Sequence, residues 1–236
     1  MNLKPERVKD SHIIIYDEKH WRRLSTFRKK ALKIMKILKK HNIDSLVIGS
    51  ITRGDIHEKS DIDIIILNYI PSFIVENILI SSGYQIFFKN LVQATPNSIV
   101  KANIYIDENT SISIPLSKLT EKEYEFFKFA GSLSLDGIIK NTRVPGINKK
   151  LLLIKPIKKG HIEYSIISRE YNVAKILGIS PRIIFEREKM LLRRDEIGRT
   201  GIFLKINVPP DKNIEDIARE TAKKNPYLRK MINSLF

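Results

Sequence analysis

Two aspartates stand at the head of an apolar run. Asp61 and Asp63 alternate with Ile62 and Ile64, and the apolar run continues to Leu67. Because residues two apart on a strand point to the same side, this spacing predicts two carboxylates on one face and buried isoleucines on the other. Carboxylates are costly to bury without a partner, and paired oxygen ligands suit Mg²⁺. The pair therefore predicts a divalent-metal site for Mg²⁺ or Mn²⁺.

A glycine–serine step precedes the aspartates. Gly49 and Ser50 follow the apolar run 46–48, which predicts a short buried strand ending at a turn into a helix. Such a turn offers backbone N–H groups to a phosphate, and glycine lets that phosphate approach closely. The Ser50 hydroxyl can donate a further hydrogen bond, and Arg53, one helical turn on, can face the same anion. The pattern predicts a phosphate-binding turn.

Three short motifs follow one another within residues 46–67. They are, in order, Gly49-Ser50, Arg53-Gly54 and Ser60-Asp61-Ile62-Asp63. Together they resemble the GS…RG…SDID signature of the DNA polymerase beta superfamily of nucleotidyltransferases, and more narrowly the archaeal proteins called predicted nucleotidyltransferases. The resemblance implies that the glycine–serine step, the arginine and Ser60 bind a nucleoside triphosphate, and that the aspartates bind metal ions. It also implies a mixed sheet with helices packed mainly on one face. A looser likeness extends through residues 143–146 into the C-terminal third.

Active members of that superfamily usually carry a third carboxylate on a later strand, where it deprotonates the attacking hydroxyl. Two metal ions so held would activate that hydroxyl and stabilise a leaving pyrophosphate. Alternation along the predicted strand places Asp107 on one face with Asn103 and Tyr105, which makes Asp107 the best candidate for catalysis and metal binding. Asp107 equally suits the start of a hairpin turn. Asp136 is a weaker candidate, because a glycine follows it. If neither aspartate is the base, then either a metal-bound hydroxide takes that role or the domain is inactive.

The elements that must position these residues predict an α+β fold. Apolar residues at helical spacing predict a helix over 21–40, whose other side, including Arg28, is expected to be a solvated basic face. Thr120 and Glu123 form a capping box for a helix over 121–130. Further predicted elements are a helix over 71–82 and strands over 46–48, 63–67, 84–88, 99–106 and 111–114, the last two forming a hairpin.

The C-terminal third shows a helix–turn–helix pattern. A short helix ends at 178–180 and a longer one runs from Pro181 to Arg194, although Arg187 occupies a position that is usually apolar. The strand 202–206 would form a basic wing, which predicts a smaller winged-helix-like domain. The arginines predicted to contact nucleic acid are Arg182, Arg193, Arg194 and Arg199. The alternative is a packing domain with solvated arginines.

These patterns divide the chain into four ranges. Residues 1–118 are predicted to form a nucleotidyltransferase domain, and 119–160 a connecting region with helix and strand. Residues 161–208 are predicted to form the helix–turn–helix-like domain, and 209–236 a C-terminal helical tail. Apolar residues of the tail, such as Ile214 and Ala218, are expected to make packing or dimer contacts.

The composition narrows the class of partner. The chain has 42 Lys and Arg against 26 Asp and Glu, a formal net charge of +16, which favours nucleic acids and nucleoside triphosphates. It has no cysteine, so disulfides and thiolate metal sites are excluded. The polar start of the chain and the absence of long apolar runs predict a cytoplasmic protein that does not enter a membrane.

The leading hypothesis is a Mg²⁺-dependent nucleotidyltransferase that moves an NMP from an NTP to a hydroxyl of a nucleic acid, with an RNA end as the expected acceptor. One alternative is transfer to a protein side chain. Another is a non-catalytic, nucleic-acid-binding regulator whose first domain only senses nucleotide.

Overall fold

The computed structural model describes residues 4–6, 10–198 and 201–232. The chain divides into two compact units, each assembled from three separated segments. The first unit comprises Met1–Leu32, Val47–Ser60 and Thr120–Thr200. The second unit comprises Lys33–Leu46, Asp61–Leu119 and Gly201–Phe236. The four ranges predicted from the sequence are continuous, and they stay a prediction. Among the described residues, no helix combines the length and apolar character needed to cross a membrane.

The described residues form both helices and strands. The helices are Glu18–Lys40 (α1), Ser50–Arg53 (α2), Ser72–Ser81 (α3), Glu121–Ala130 (α4), Leu135–Ile139 (α5), Glu170–Leu177 (α6), Pro181–Ile197 (α7), Ile214–Lys224 (α8) and Pro226–Ile232 (α9). The strands are His12–Ile15 (β1), Ser45–Ile48 (β2), Ile62–Ile66 (β3), Phe88–Gln93 (β4), Val100–Asp107 (β5), Thr110–Pro115 (β6), Ser132–Ser134 (β7), Gly146–Ile147 (β8), Leu152–Ile157 (β9), Gly160–Ser165 (β10) and Leu204–Val208 (β11).

The second unit is built on a mixed sheet in which β11, β4, β5, β6 and β3 lie side by side in that order. β3 runs parallel to β6, and the other neighbours are antiparallel. One side of the sheet carries Ile64, Ile112, Ile104 and Leu91, all completely buried. Helix α8 packs against β4 and α3 in the same unit. The α+β class and the mixed sheet expected from the sequence are confirmed.

The opposite side of this sheet is polar. Asp63 on β3 is in register with Ser111 on β6, which is in register with Tyr105 on β5. Asn103 on β5 lies two residues from Tyr105 and is in register with Ser113 on β6. We call this side the polar face. On this face Ser111 and Asn103 are buried, whereas Asp63 and Tyr105 are half-buried.

The first unit is built on an antiparallel sheet in the order β1-β10-β9-β8. A hydrophobic core forms where residues of β9, α6 and α7, such as Leu153, Val173 and Ile184, pack with Phe129 of α4. Gly178 ends α6 in the left-handed conformation, and Pro181 begins α7 after the cap residue Ser180. The predicted pair of helices joined by a short turn is therefore present.

Several local predictions are confirmed. Helix α1 ends at Lys40, α3 spans the predicted helix after Pro71, and β5 and β6 form the predicted hairpin. Both hydrogen bonds of the capping box between Thr120 and Glu123 are present. These elements could be predicted because their sequence signals are local.

Two predictions about strands were wrong. The strand predicted over 84–88 begins only at Phe88, because Gly83 has a φ of 86° and the Tyr84 N–H still donates to Leu79 O to close α3. The strand predicted as a wing is β11, which pairs with β4 in the sheet of the second unit. Because Ile206 of β11 pairs with Leu91 of β4, β11 is a strand of the sheet in the second unit and not a wing.

Candidate active site

The aspartate pair lies at the start of β3. Ile62 and Ile64 are buried, whereas Asp61 is exposed and Asp63 half-buried, as the alternating pattern predicted. The backbone N–H of Ile62 donates to Asn109 O at 2.7 Å, which fixes the entry to the strand beside the β5–β6 hairpin. The two carboxylates therefore stand at the edge of the polar face.

Ser111 is the neighbour of Asp63 on the adjacent parallel strand. The Ser111 hydroxyl donates a hydrogen bond of 2.8 Å to Asp63 Oδ1. Hydrogen bonds to a charged acceptor are the stronger kind, and this one restricts the rotation of the carboxylate. The sequence offered a signal for Ser111, since Ser111 and Ser113 alternate with Ile112 and Ile114. What it did not reveal was the parallel pairing with β3.

Asp107 does not share the face of Asp63, contrary to our prediction. Tyr105 pairs with Ser111, but Asp107 pairs with Thr110, so one extra residue of β5 is accommodated by a bulge. Thr110 in turn pairs with the buried Ile62. The Asp107 carboxylate accepts the Asn109 N–H at 3.0 Å, which is the turn-initiating role considered as the alternative. Its part in the chemistry stays a prediction that the register does not support.

The oxygen ligands near Asp63 are of the types that would hold a hard cation together with substrate phosphates. Among the described residues, no group of three or more His, Asp or Glu side chains is placed to hold a metal ion. Mg²⁺ in nucleotide sites is commonly held by one or two carboxylates together with substrate phosphates. Asp61 and Asp63 would supply those carboxylates, and the Ser111 hydroxyl lies at the neighbouring position.

The predicted phosphate-binding turn lies in the first unit. Gly49 has φ 88° and ψ −152°, a backbone conformation essentially restricted to glycine, and no atom lies within 4 Å of the position where a Cβ would stand. Its N–H donates to Gly131 O at 2.9 Å, and its carbonyl accepts the Thr52 hydroxyl at 2.8 Å. The turn is thus fixed on its inner side and open above Gly49, where Ser50 begins α2.

Arg53 and Ser60 are turned into the first unit. The Arg53 guanidinium forms two hydrogen bonds with the Asp55 carboxylate, at 2.9 and 3.0 Å, and a further one with Ala130 O. The Ser60 hydroxyl accepts the His57 N–H at 2.9 Å. Both side chains are buried. Their predicted contacts with a nucleotide stay predictions, and the hydrogen bonds present hold the loop between the turn and the aspartates.

Arg28 was expected on a solvated basic face, and that expectation was wrong. Its side chain is buried and donates to Ile51 O at 3.0 Å, to Thr52 O at 3.2 Å and to Asn141 Oδ1 at 2.8 Å. Burial, together with the nearby Arg143 charge, lowers the pKa of Arg28 to about 10. Arg28 therefore anchors the last carbonyls of the short helix α2, and the periodicity of α1 gave no sign of this role.

Three of the four arginines predicted to contact nucleic acid lie on α7. Arg182, Arg193 and Arg194 are exposed, whereas Arg199 lies outside the described residues. Arg187 turns inward and places its guanidinium 4.6 Å from the ring centre of Phe126 on α4. Burial lowers the pKa of Arg187 to about 10, and the Arg194 charge acts in the same direction. This stacking explains how an arginine occupies a position that is usually apolar.

A family model described as a nucleotidyltransferase domain matches residues 28–191. The matched range includes the turn at Gly49, the aspartate pair and Ser111. Neither the comparison with curated proteins nor the comparison with solved structures returned a match.

Proposed function

The chain belongs to the nucleotidyltransferase domain family, and on that premise we propose that it transfers an NMP group from an NTP to a hydroxyl in a Mg²⁺-dependent reaction. The observation that carries the proposal is the pair Asp61 and Asp63 at the edge of the polar face, with the Asp63 carboxylate held by Ser111. The narrower likeness to the archaeal group rests on the sequence motifs alone.

The residues take the following roles. Gly49 and Ser50 bind the triphosphate, because the backbone at Gly49 is open to an approaching anion. Asp61 and Asp63 would hold a divalent cation, which would neutralise negative charge on the NMP group as it is transferred. Ser111 keeps one Asp63 oxygen in place. Arg53 and Arg28 act as positioning residues, since they hold the turn and α2 through their hydrogen bonds.

The reaction is a displacement at the α-phosphorus. The acceptor oxygen forms a bond to that phosphorus, the bond from phosphorus to the bridging oxygen of the pyrophosphate breaks, and the pyrophosphate leaves with that electron pair. The hydroxyl proton passes to solvent water. Catalysis then rests mainly on positioning and charge stabilisation, as is general for phosphoryl transfer.

The acceptor we propose is a nucleic acid, with an RNA end as the first candidate. The net charge of +16 and the exposed arginines of α7 support a polyanionic acceptor. A protein acceptor and a non-catalytic regulator are the competing hypotheses, and each gives a different result in the experiment below.

The experiment is an incorporation assay with each α-labelled NTP, Mg²⁺ or Mn²⁺, and RNA, DNA or protein as acceptor. We expect label on RNA, and a loss of about 100-fold or more in the Asp61→Asn/Asp63→Asn double variant. Asp44→Asn is the matched control, because Asp44 is an exposed aspartate paired with Lys39. Its activity should equal that of the wild type.

Other outcomes would overturn parts of the proposal. Label that appears on protein alone would replace the nucleic-acid acceptor with a protein acceptor. Absence of label on every acceptor, combined with tight DNA binding that Asp63→Asn leaves unchanged, would establish the regulator and refute the transferase.

A further inference from the structure

The polar face carries a row of residues that leads from the aspartate pair to three aromatic rings. Asp63 pairs with Ser111, Ser111 with Tyr105, and Tyr105 with Phe88. The side chains share the face, because Ser111 bonds Asp63 and the rings of Tyr105 and Phe88 stack. Tyr105 is two strands from Asp63, or about 10 Å at the usual strand spacing.

The aromatic rings form a small ordered surface. The rings of Phe88 and Tyr105 are 3.9 Å apart and inclined by only 10°, and Phe87 meets Phe88 edge-on at 5.7 Å. Phe87 is 59% exposed and Phe88 37% exposed. We call these three residues the aromatic platform. Rings that are partly exposed and held in fixed orientations are suited to stacking with the flat faces of bases.

A second row of the polar face holds the platform from one side. Ser113 donates to Asn103 at 2.7 Å, and Asn103 donates to Asn90 at 2.8 Å. Asn90 and Asn103 are buried, so this chain of hydrogen bonds is a fixed floor beside Tyr105. The platform therefore keeps its geometry without a ligand, which lowers the cost of binding one.

Tyr105 also stands within the field of both aspartates. Burial raises the pKa of its phenol, and the negative charges of Asp63 and Asp61 act in the same direction, against a hydrogen bond with Asn90. The ring therefore remains a neutral stacking surface next to the carboxylates at neutral pH.

Lysines lie on the same face beyond the platform. Lys101 pairs with Val92, which pairs with Lys205 on β11, so this third row is four residues along β5 from Tyr105. At about 3.4 Å per residue, the lysine row lies roughly 14 Å from the row of Asp63. A mononucleotide whose phosphates sit at the aspartates does not place a phosphate at this row, whereas a polynucleotide carries phosphates along its length.

We propose that the aromatic platform binds the terminal bases of a single-stranded nucleic acid, whose backbone phosphates contact Lys101 and Lys205. The inference rests on the proposed function, since it assigns the acceptor of that reaction to the polar face. It places the terminal hydroxyl of the strand beside Asp61 and Asp63. Stacking on rings is tolerant of sequence, so the platform selects a single-stranded end rather than a particular base.

The test measures binding of a short fluorescein-labelled single-stranded RNA by anisotropy, with EDTA and without NTP. Phe88→Ala should weaken binding about tenfold or more, and Tyr105→Ala similarly, because a stacked base contributes roughly 1–3 kcal/mol. Phe73→Ala is the matched control, since Phe73 is 47% exposed on α3 of the same unit. It should bind as the wild type does. Lys205→Ala should lower the slope of log Kd against log salt by about one.

Affinity for the NTP with Mg²⁺ is measured in parallel. If Phe88→Ala weakens NTP binding and leaves RNA binding intact, the platform holds the incoming base and the proposal is overturned. If neither affinity changes, while the variant alters the oligomeric state, the face is an interface between copies and the proposal again fails. RNA binding is measured without catalysis, so it is independent of the transferase activity. If the wild type shows no transferase activity but binds RNA, and Phe88→Ala weakens that binding, only the proposed function is refuted.

Discussion

At the scale of single residues, the environment of Asp63 sets the charge of the site. The position next to Asp63 on the parallel strand is a serine. Among the described residues, the oxygen ligands here are therefore the two aspartate carboxylates and the Ser111 hydroxyl, not three carboxylates. A lower negative charge weakens the affinity for a free cation and makes binding depend more on phosphates brought by the substrate. We therefore expect metal and nucleotide to bind together.

Changing Ser111 tests this account. Ser111→Ala removes the hydrogen bond to Asp63, and we expect kcat/KM to fall about tenfold, the equivalent of roughly 1.4 kcal/mol for a bond to a charged group. Ser111→Asp adds a third carboxylate and should lower the Mg²⁺ concentration required for half-maximal activity. The measurement is a Mg²⁺ titration of incorporation for each variant.

Ser81→Ala provides the control. In the described structure the Ser81 hydroxyl donates a hydrogen bond to Ile78 O within α3. Equal kcat/KM and equal Mg²⁺ dependence in Ser111→Ala and the wild type would show that Asp63 needs no such support.

Residues whose roles depend on distant partners were the ones that the sequence could not assign. The alternation at Asp61 and Asp63 and the turn from strand to helix at Gly49 could be predicted because both signals are local. The roles of these residues stay predictions. Arg28 was misplaced because its partners, such as Asn141, stand more than a hundred residues away. Asp107 was misplaced because a bulge changes the register of β5, and alternation assumes an unbroken strand.

At the scale of elements, the helix pair α6–α7 was predictable, whereas its surroundings were not. The turn at Gly178 and the cap at Ser180 are local signals. The strand β11 gave the same local signal whether it served as a wing or as a sheet edge, and its pairing with β4 decides between them. The positions of Arg182 and Arg194 on the outside of α7 keep the predicted nucleic-acid contact open to experiment.

Glu188 gives α7 a pH-dependent stability. Burial raises the pKa of Glu188 to about 7, and the charge of Glu170 on α6 acts in the same direction. Between the ordinary carboxyl value of 4.5 and about 7 the folded chain holds a proton that the unfolded chain releases. The unfolding free energy therefore falls as the pH rises through this window, and is lowest above it.

Glu188→Gln should remove the pH dependence of the unfolding free energy that Glu188 causes, because glutamine does not titrate. The variant should melt at a higher temperature than the wild type at about pH 8, and the difference should shrink at about pH 3, well below the ordinary carboxyl value, where Glu188 is protonated in both the folded and the unfolded state. Thermal unfolding followed by circular dichroism gives both values. Glu196→Gln on the exposed part of α7 is the control. A Glu188→Gln effect that is the same at both pH values would contradict the raised pKa.

At the scale of the whole molecule, residues far apart in sequence complete one compact unit. The C-terminal residues predicted as a tail return to the sheet of the second unit, where Ile214, Ala218 and Leu228 are buried. Lys89 on β4 donates to Lys212 O at 2.8 Å and pairs with Glu76 on α3 at 3.0 Å. The packing contacts predicted for apolar residues of the tail, such as Ile214 and Ala218, are therefore present within the single chain.

Glu215 connects the C-terminal helix α8 to the start of α3. Its carboxylate accepts the Ser72 N–H at 2.6 Å and the Ser72 hydroxyl at 2.7 Å, across 143 positions of sequence, and all of these groups are buried. A carboxylate at a helix start satisfies N–H groups that the helix itself cannot. Glu215→Ala should therefore lower the unfolding free energy by about 2–3 kcal/mol, because buried Ser72 donors lose their acceptor.

Urea denaturation measures this change, and Glu215→Gln should recover part of it, since its amide oxygen can still accept one bond. Asp216→Asn controls for loss of charge on the same turn, because Asp216 is exposed and pairs with Arg219. If α8 and α9 were an independent tail, Glu215→Ala would leave the main urea transition where it is. A shifted midpoint with an unchanged slope would instead show that the end of the chain stabilises the sheet carrying the aspartate pair.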